Sequence, residues 1–187
     1  MTKSECRLFF KNQRELLTEN EISLFSETII HQLIDFVDFT NKNVSVFLPI
    51  SSKKEINTYP LLELKNKFNA TIGLPVSDFS SNQMKHLVFE KIDQIKISKF
   101  DIPEPMYGDE IQNSEFDIVI VPLLGFDKKG NRVGYGKGFY DRFLSQCKID
   151  CIFIGLSFFE PIELIEDTEI NDIQLHVIIT PSKIYNF

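Results

Sequence analysis

Along this chain, apolar side chains recur first at helical spacing and then in short unbroken runs, and the two patterns take turns almost to the end. Residues 3–17 carry the helical pattern, with Lys3 and Arg7 four apart on one face. Taken alone, two such cations mark a solvated edge. Thr18-Glu-Asn-Glu21 has the form of a capping box, in which hydroxyl and carboxylate each accept from a backbone N–H that the first turn leaves free. Beyond it Ile22, Phe25, Ile29, Leu33 and Phe36 keep to one face, so this second helix is expected to lie on a sheet.

Val44–Leu48 reads as a short buried strand ended by Pro49, and the loop Ile50–Asn57 follows its C-terminal end, where open α/β sheets place ligands. Glu55 sits in that loop. Thr58–Phe68 is expected to be a helix with a threonine cap and an early Pro60, turning Leu61, Leu62, Leu64 and Phe68 inward. Ala70–Leu74 is a strand closed by Pro75. From Ser77 to Ser98 the pattern weakens, though Gln83–Ile92 alternates as an antiparallel strand would, with His86 as a strand side chain rather than a ligand. Phe100–Pro105 is extended, because each proline disfavours the α region for the residue before it.

Phe116–Val121, closed by Pro122, is an apolar β-branched run of the kind found in buried parallel strands. Cys151–Leu156 is another. Pro161–Ile165 suggests a helical turn, Glu166–Glu169 a solvated acidic run, and Leu175–Ile179 a last strand. His176 in that strand reads as structural, and His31 as solvent-facing. The alternation predicts an α/β fold, a three-layer α/β/α sandwich with a mostly parallel central sheet, as a single domain over residues 1–187.

Composition narrows the function classes. A net charge of −7 argues against nucleic acid as a partner, which usually meets a basic face. No apolar run approaches the roughly 20 residues of a membrane span, and the polar, mixed-charge N-terminus is unlike a signal peptide. Three cysteines, Cys6, Cys147 and Cys151, are too few for a disulfide framework, and no His or further Cys joins them as a zinc set. A reduced, cytoplasmic protein is expected, acting as a monomer on small molecules.

The candidate chemistry lies between the central strand and the next helix, which starts at Phe139 with Tyr140, Phe143 and Leu144 facing inward. After the polar turn Asp127–Asn131 comes Arg132-Val-Gly-Tyr-Gly-Lys-Gly138. Gly134, Gly136 and Gly138 clear Cβ atoms from one side of the loop and allow positive φ, so main-chain donors can be approached closely. A helix N-terminus follows, which favours an anion. Lys137 and Arg132 make the loop cationic within an acidic chain, and phosphate is the obvious guest. A glycine-rich turn with solvated cations has the same composition. Neither the P-loop spacing nor the dinucleotide fingerprint can be drawn here, so the pattern alone stops at a phosphate-binding loop.

Val121-Pro-Leu-Leu-Gly-Phe-Asp127 with Gly130-Asn-Arg-Val-Gly-Tyr-Gly-Lys-Gly-Phe-Tyr-Asp141 resembles the signature of the 5-formyltetrahydrofolate cyclo-ligase (methenyltetrahydrofolate synthetase) family. The resemblance extends to Lys3-x-x-x-Arg7, to Leu48-Pro49 with Glu55-Ile56-x-Thr58, to Ile102-Pro-Glu-Pro105, and to Asn171-Asp172 before the last strand. Two departures stand out. Leu-Leu-Gly replaces the more usual Gly-Val-Ala after Val121-Pro122, and Phe139 replaces a commoner tyrosine, removing a hydroxyl but keeping an aromatic face.

The resemblance implies the NagB/RpiA/CoA transferase-like fold and conversion of 5-formyltetrahydrofolate to 5,10-methenyltetrahydrofolate with ATP and Mg²⁺, releasing ADP and phosphate. A formamide oxygen is a poor leaving group; γ-phosphoryl transfer onto it makes an imidate-like phosphate that N10 can attack. The protein's part is positioning and charge neutralisation. By the same resemblance Lys3, Arg7 and the loop Arg132, Val133, Gly134, Tyr135, Gly136, Lys137, Gly138, Phe139 and Tyr140 bind ATP, with Lys137 and Arg132 acting on the γ-phosphate. Pro49, Glu55 and Tyr135–Phe139 bind the folate, and Asp141 and Asp172 hold Mg²⁺. Two rivals share these features: a protein of the same fold acting on another substrate, and a non-enzymatic nucleotide or phosphate sensor.

Overall fold

A computed structural model describes residues 1–187. Two long helices come first, α1 (Lys3–Leu16) and α2 (Glu19–Phe36), followed by β1 (Asn43–Ser45), α3 (Leu64–Phe68), β2 (Thr71–Asp78) and β3 (Gln83–Val88). Short strands β4 (Ile95–Ile97), β5 (Pro103–Pro105) and β6 (Glu110–Ile111) lead to the central strand β7 (Ile118–Pro122). The hairpin β8 (Gly125–Phe126) and β9 (Arg132–Val133) precedes α4 (Phe139–Leu144), and β10 (Ile152–Leu156), β11 (Val177–Ile179) and β12 (Ile184–Asn186) complete the chain.

Eight strands form one sheet in the order β12-β11-β10-β7-β1-β2-β3-β6. The five from β11 to β2 are parallel, while β12, β3 and β6 pair antiparallel at the two edges. This is the predicted α/β class with a mostly parallel sheet, and β3 is the expected antiparallel excursion. Alternation along the strands assigns the two faces. Val44, Val46, Ile118, Ile120, Ile154 and Ile179 pack with Ile29, Ile30 and Leu33 of α2 and with Leu61, Leu62 and Leu64. Val119, Val121, Phe153 and Ile178 face the other way and pack with Phe143 and Leu144 of α4.

Both expected capping roles of threonine can be checked. Thr18 caps α2 in a complete capping box with Glu21, as does Thr2 for α1 with Glu5. Thr58 caps nothing: its buried hydroxyl donates to the Phe47 carbonyl, and residues 59–63 form a 3₁₀ turn before the short α3. Phe36 is 46% exposed rather than core-facing, and Ile30 fills the face instead. Pro75 does not close β2, which runs on to Asp78. Its missing N–H points to the side where β1 has already ended at Ser45↔Gly73, so no ladder bond is lost.

Pro161–Ile165 is not helical. Asp127 is fully buried and needs donors, and this segment supplies them by running extended beside it. Ile162 bridges to Asp127 and donates to Phe126 O at 2.9 Å, and Ile165 N donates to the Asp127 carboxylate at 3.0 Å. The acidic run after it is exposed, but Glu166 pairs with the N-terminal ammonium at 2.9 Å. His86 and His176 are structural as expected: Ser45 Oγ lies 2.9 Å from His86 Nε2, and His176 Nδ1 accepts from Phe153 N at 2.9 Å. No helix is long and apolar enough to cross a membrane.

Candidate active site

The sheet order reverses at β1, whose neighbours β2 and β7 lie on opposite sides of it, and in open α/β sheets such a switch opens a crevice at the strand C-termini. There the segments after β1, β2 and β7 enclose a cavity of about 300 Å³. The loop 50–57, the glycine loop and the first turn of α4 line it, and Lys3, Arg7 and Asp172 close one side.

Asp127 builds the glycine loop's foundation. Its carboxylate accepts from Lys129 N at 2.9 Å, Asn131 N at 3.0 Å and Asn131 Nδ2 at 2.9 Å, which folds the β8–β9 turn. On that hairpin Leu124 and Val133 pack with Cys6 and Phe10 of α1. Gly125 permits the contact, since a Cβ there would lie 2.0 Å from the Phe10 ring. The docking brings Arg7 over the loop, where its Nε donates to Gly134 O at 3.0 Å. Gly136 (φ 84°) and Gly138 (φ 67°) are left-handed, and a Cβ on Gly136 would sit 3.2 Å from Arg7 Cζ. Gly134 has neither positive φ nor any neighbour within 4 Å, so nothing in the fold itself requires glycine there.

Five cationic residues, Lys3, Arg7, Lys53, Arg132 and Lys137, line the cavity, and two of them are paired with carboxylates. Lys3 Nζ lies 2.6 Å from Asp172 Oδ2, and Arg132 Nη2 lies 2.8 Å from Asp141 Oδ1. Burial works against charge on Lys3, yet the Asp172 carboxylate holds its ammonium above the usual value. The two pairs adjoin, because Ile173 N also donates to Asp141 Oδ1 at 3.2 Å and Arg132 donates to Ile173 O. Lys137, an exposed residue of the cavity's lining, differs in that its ammonium has no ion pair or hydrogen bond within the protein, and Lys53 shares that property.

Asp141 and Asp172 reach the cavity together, as the sequence implied. No group of three or more His, Cys, Asp or Glu side chains converges in the chain. Two carboxylates without soft ligands suit Mg²⁺, which keeps several waters and takes further oxygens from phosphate. The donor set therefore fits that ion with a nucleotide, and does not fit zinc.

From the loop after β1 Glu55, only 9% exposed, accepts from Ile50 N at 2.8 Å and from the Tyr135 hydroxyl at 2.6 Å. Burial first, and then the Glu55 charge, push the Tyr135 phenol well above its ordinary pKa, so it stays a neutral donor. Burial does the same to Tyr140. At the mouth Phe139 meets Phe79 edge-on at 5.2 Å, and Phe79 packs on Phe100 at 3.9 Å.

Two expected site residues do not reach the cavity with their side chains. Pro49 is buried between Leu48 and Ile50, which line it instead, and the Val133 side chain belongs to the α1 contact. Sequence reasoning also missed Arg14, which is 4% exposed and donates to Tyr135 Oη at 3.3 Å and to Leu123 O at 2.7 Å. Its signal was present, since eleven residues on from Lys3 is three helical turns and the same face. Phe79 comes from the stretch 77–98, whose weak periodicity gave no reason to place it at a site.

A switch-point cleft with a cationic glycine loop, two acidic side chains and an aromatic mouth defines an α/β protein with a small-molecule site at the strand C-termini. Comparison with known proteins is more specific. The model of the 5-formyltetrahydrofolate cyclo-ligase family matches residues 1–181. A probable 5-formyltetrahydrofolate cyclo-ligase of Schizosaccharomyces pombe is 27% identical over 98% of this chain and 97% of its own length. The 5-formyltetrahydrofolate cyclo-ligase of Escherichia coli K12 is 30% identical over 77% of this chain and 80% of its own length. Among solved structures, the 5,10-methenyltetrahydrofolate synthetase of Aquifex aeolicus superposes with a TM-score of 0.84 at 29% identity, covering 100% of this chain and 93% of that one. The chain belongs to the 5-formyltetrahydrofolate cyclo-ligase family.

Proposed function

We propose that the chain converts 5-formyltetrahydrofolate and ATP into 5,10-methenyltetrahydrofolate, ADP and phosphate. The observation that carries this reading is the unpaired Lys137 ammonium beside Lys3, Arg7 and Arg132, on a loop whose glycines let a phosphate approach the main chain. On the same loop Tyr135 pairs with Glu55, and the two offer a phenol donor and a carboxylate acceptor for the polar edge of a reduced pterin. Phe139 provides the apolar face.

The formyl oxygen attacks the γ-phosphorus and ADP departs, so the oxygen becomes part of a phosphate leaving group. N10 then bonds to the one-carbon centre, loses its proton to solvent, and the C–O bond breaks with release of phosphate. Lys137 and Arg132 offset the negative charge that moves from the γ-phosphate to the leaving oxygens. Arg7 holds Gly134 O and keeps the loop open for the phosphates. Asp141 and Asp172 would hold Mg²⁺, which supplies further neutralisation of the terminal phosphates. The enzyme works as a monomer in the cytoplasm, a compartment where its three free cysteines stay reduced.

The test is the absorbance of the methenyl product on mixing the protein with 5-formyltetrahydrofolate and MgATP. Product should form only when all components are present. ATP binding without product would leave a nucleotide sensor or a ligase of another substrate.

A further inference from the structure

α1 buries one stripe of side chains at four-residue spacing, Cys6, Phe10 and Arg14. The first two are the apolar residues such a stripe calls for. The third is a cation, 4% exposed, at a place where packing alone would be served by leucine. It forms no ion pair. Its guanidinium carbon lies 5.9 Å from the centre of the Phe158 ring, Nη2 donates to Leu123 O at 2.7 Å, and Nε has no partner. A buried charge with no carboxylate beside it is destabilising, and departures of this kind from the local rules gather at functional sites.

Arg14 does not line the active-site cavity, but it touches a residue that does. The Tyr135 hydroxyl accepts from Arg14 Nη1 at 3.3 Å and donates to Glu55 Oε1 at 2.6 Å. A neutral phenol thus stands between a guanidinium and a carboxylate. With Arg14 donating from one side, the phenol proton turns to the other, toward Glu55. Glu55 comes from a loop, and its two oxygens are fixed by two donors, Tyr135 on Oε1 and Ile50 N on Oε2. The main chain of the glycine loop is held separately, by Arg7 on Gly134 O and by Arg142 on Lys137 O.

We infer that Arg14 is a positioning residue for the folate side of the cleft: acting through the Tyr135 hydroxyl, it orients and holds the Glu55 carboxylate, and it takes no part in holding the nucleotide. The inference rests on the folate reading above and deepens it.

Kinetic constants for Arg14→Met, Tyr135→Phe and the double variant test it, with folding checked by thermal melting. Arg14→Met should raise KM for 5-formyltetrahydrofolate about tenfold, within the range of coupling inside one hydrogen-bond network, and leave KM for ATP within about twofold of the wild type. The double variant should be no worse than Tyr135→Phe, because Arg14 acts only through that hydroxyl. Arg14→Lys keeps a charged donor and should recover part of the affinity. If the methionine variant does not fold, Arg14→Gln retains a donor for Leu123 O and should give the same split between the two KM values. Effects that simply add in the double variant, equal rises in both KM values, or an unchanged KM for the folate would overturn the assignment.

A second readout needs no turnover. In protein carrying carbon-13 at tyrosine Cζ, the Tyr135 resonance is identified by its loss in Tyr135→Phe. It should shift in Glu55→Gln and in Arg14→Met alike. Those shifts in a protein that forms no methenyl product would sink the folate reading alone and support Arg14 as the residue that positions Glu55. A resonance indifferent to Arg14 would refute the relay.

Discussion

Replacing Lys137 by methionine separates chemistry from folding more cleanly than any other change in the cleft. Its ammonium touches no carboxylate or carbonyl, so the fold loses nothing when the charge goes. Lys3 and Arg132 are partly neutralised by Asp172 and Asp141 and cannot fully replace it. A unit charge about 4 Å from a phosphate oxygen is worth about 4 kcal/mol at an effective dielectric of about 20. The part that differs between bound ATP and the transition state should match the loss of one preorganised donor, on the order of 10²–10³-fold in kcat. The thermal midpoint should stay within about 2 °C of the wild type. Steady-state formation of the methenyl product and a melting curve on the same preparation make the comparison, and Lys137→Arg should recover part of the rate. A methionine variant with near wild-type kcat would show that Lys137 is a solvated side chain and that the loop does not act on the γ-phosphate.

Other perturbations probe the remaining walls. Glu55→Ala removes a charged acceptor from Tyr135 and Ile50 N; KM for the folate should rise about 10- to 100-fold with ATP affinity near normal, and an unchanged KM would refute its role. Gly136→Ala forces a side chain into a left-handed position and against Arg7, so it should cost about 1–2 kcal/mol in urea unfolding, whereas Gly134→Ala should cost the fold nothing. Burial pushes the His86 imidazole down to about 3 from its ordinary 6.5. The unfolded chain therefore takes up a proton below about pH 6.5 that the folded protein refuses until about pH 3. Stability is full above that window and falls on acidification through it. His86→Leu should flatten this part of the urea-midpoint curve against pH, and an unaltered slope would contradict the assignment.

Much of this architecture is written in local patterns. The runs at Phe116–Val121 and Cys151–Leu156 are apolar on both faces because both faces are covered, save at Ile152, which is exposed, so burial and sequence largely carry the same message. The capping box at Thr18 is likewise a matter of four adjacent residues. What failed depends on distant partners. Thr58 has the chemistry of a cap, but a buried carbonyl eleven residues earlier takes its hydroxyl. Pro75 looks like a stop until the register of β1 shows that no donor was needed there. Pro161–Ile165 runs extended because Asp127, over thirty residues away, is buried and wants its backbone donors.

The site divides in the same way. Lys3, Arg7, Glu55, Asp141 and Asp172 lie up to 169 residues apart and meet in one cleft. Residue type and family resemblance named them; only the docking of α1 on the β8–β9 hairpin explains why they meet. Val133 serves that docking, which is why its side chain is absent from the cavity. Arg14 escaped notice because one buried arginine on a long helix is indistinguishable from a solvated one until Tyr135 and Leu123 O are seen beside it.

Phosphoryl transfer from ATP onto the formyl oxygen is the step on which the proposed reaction turns. Turnover of 5-formyltetrahydrofolate labelled with oxygen-18 in the formyl group tests it directly, with the inorganic phosphate analysed by mass spectrometry. The label should appear in the phosphate, one atom for each methenyl product formed. Unlabelled phosphate, with the label recovered in water, would contradict it.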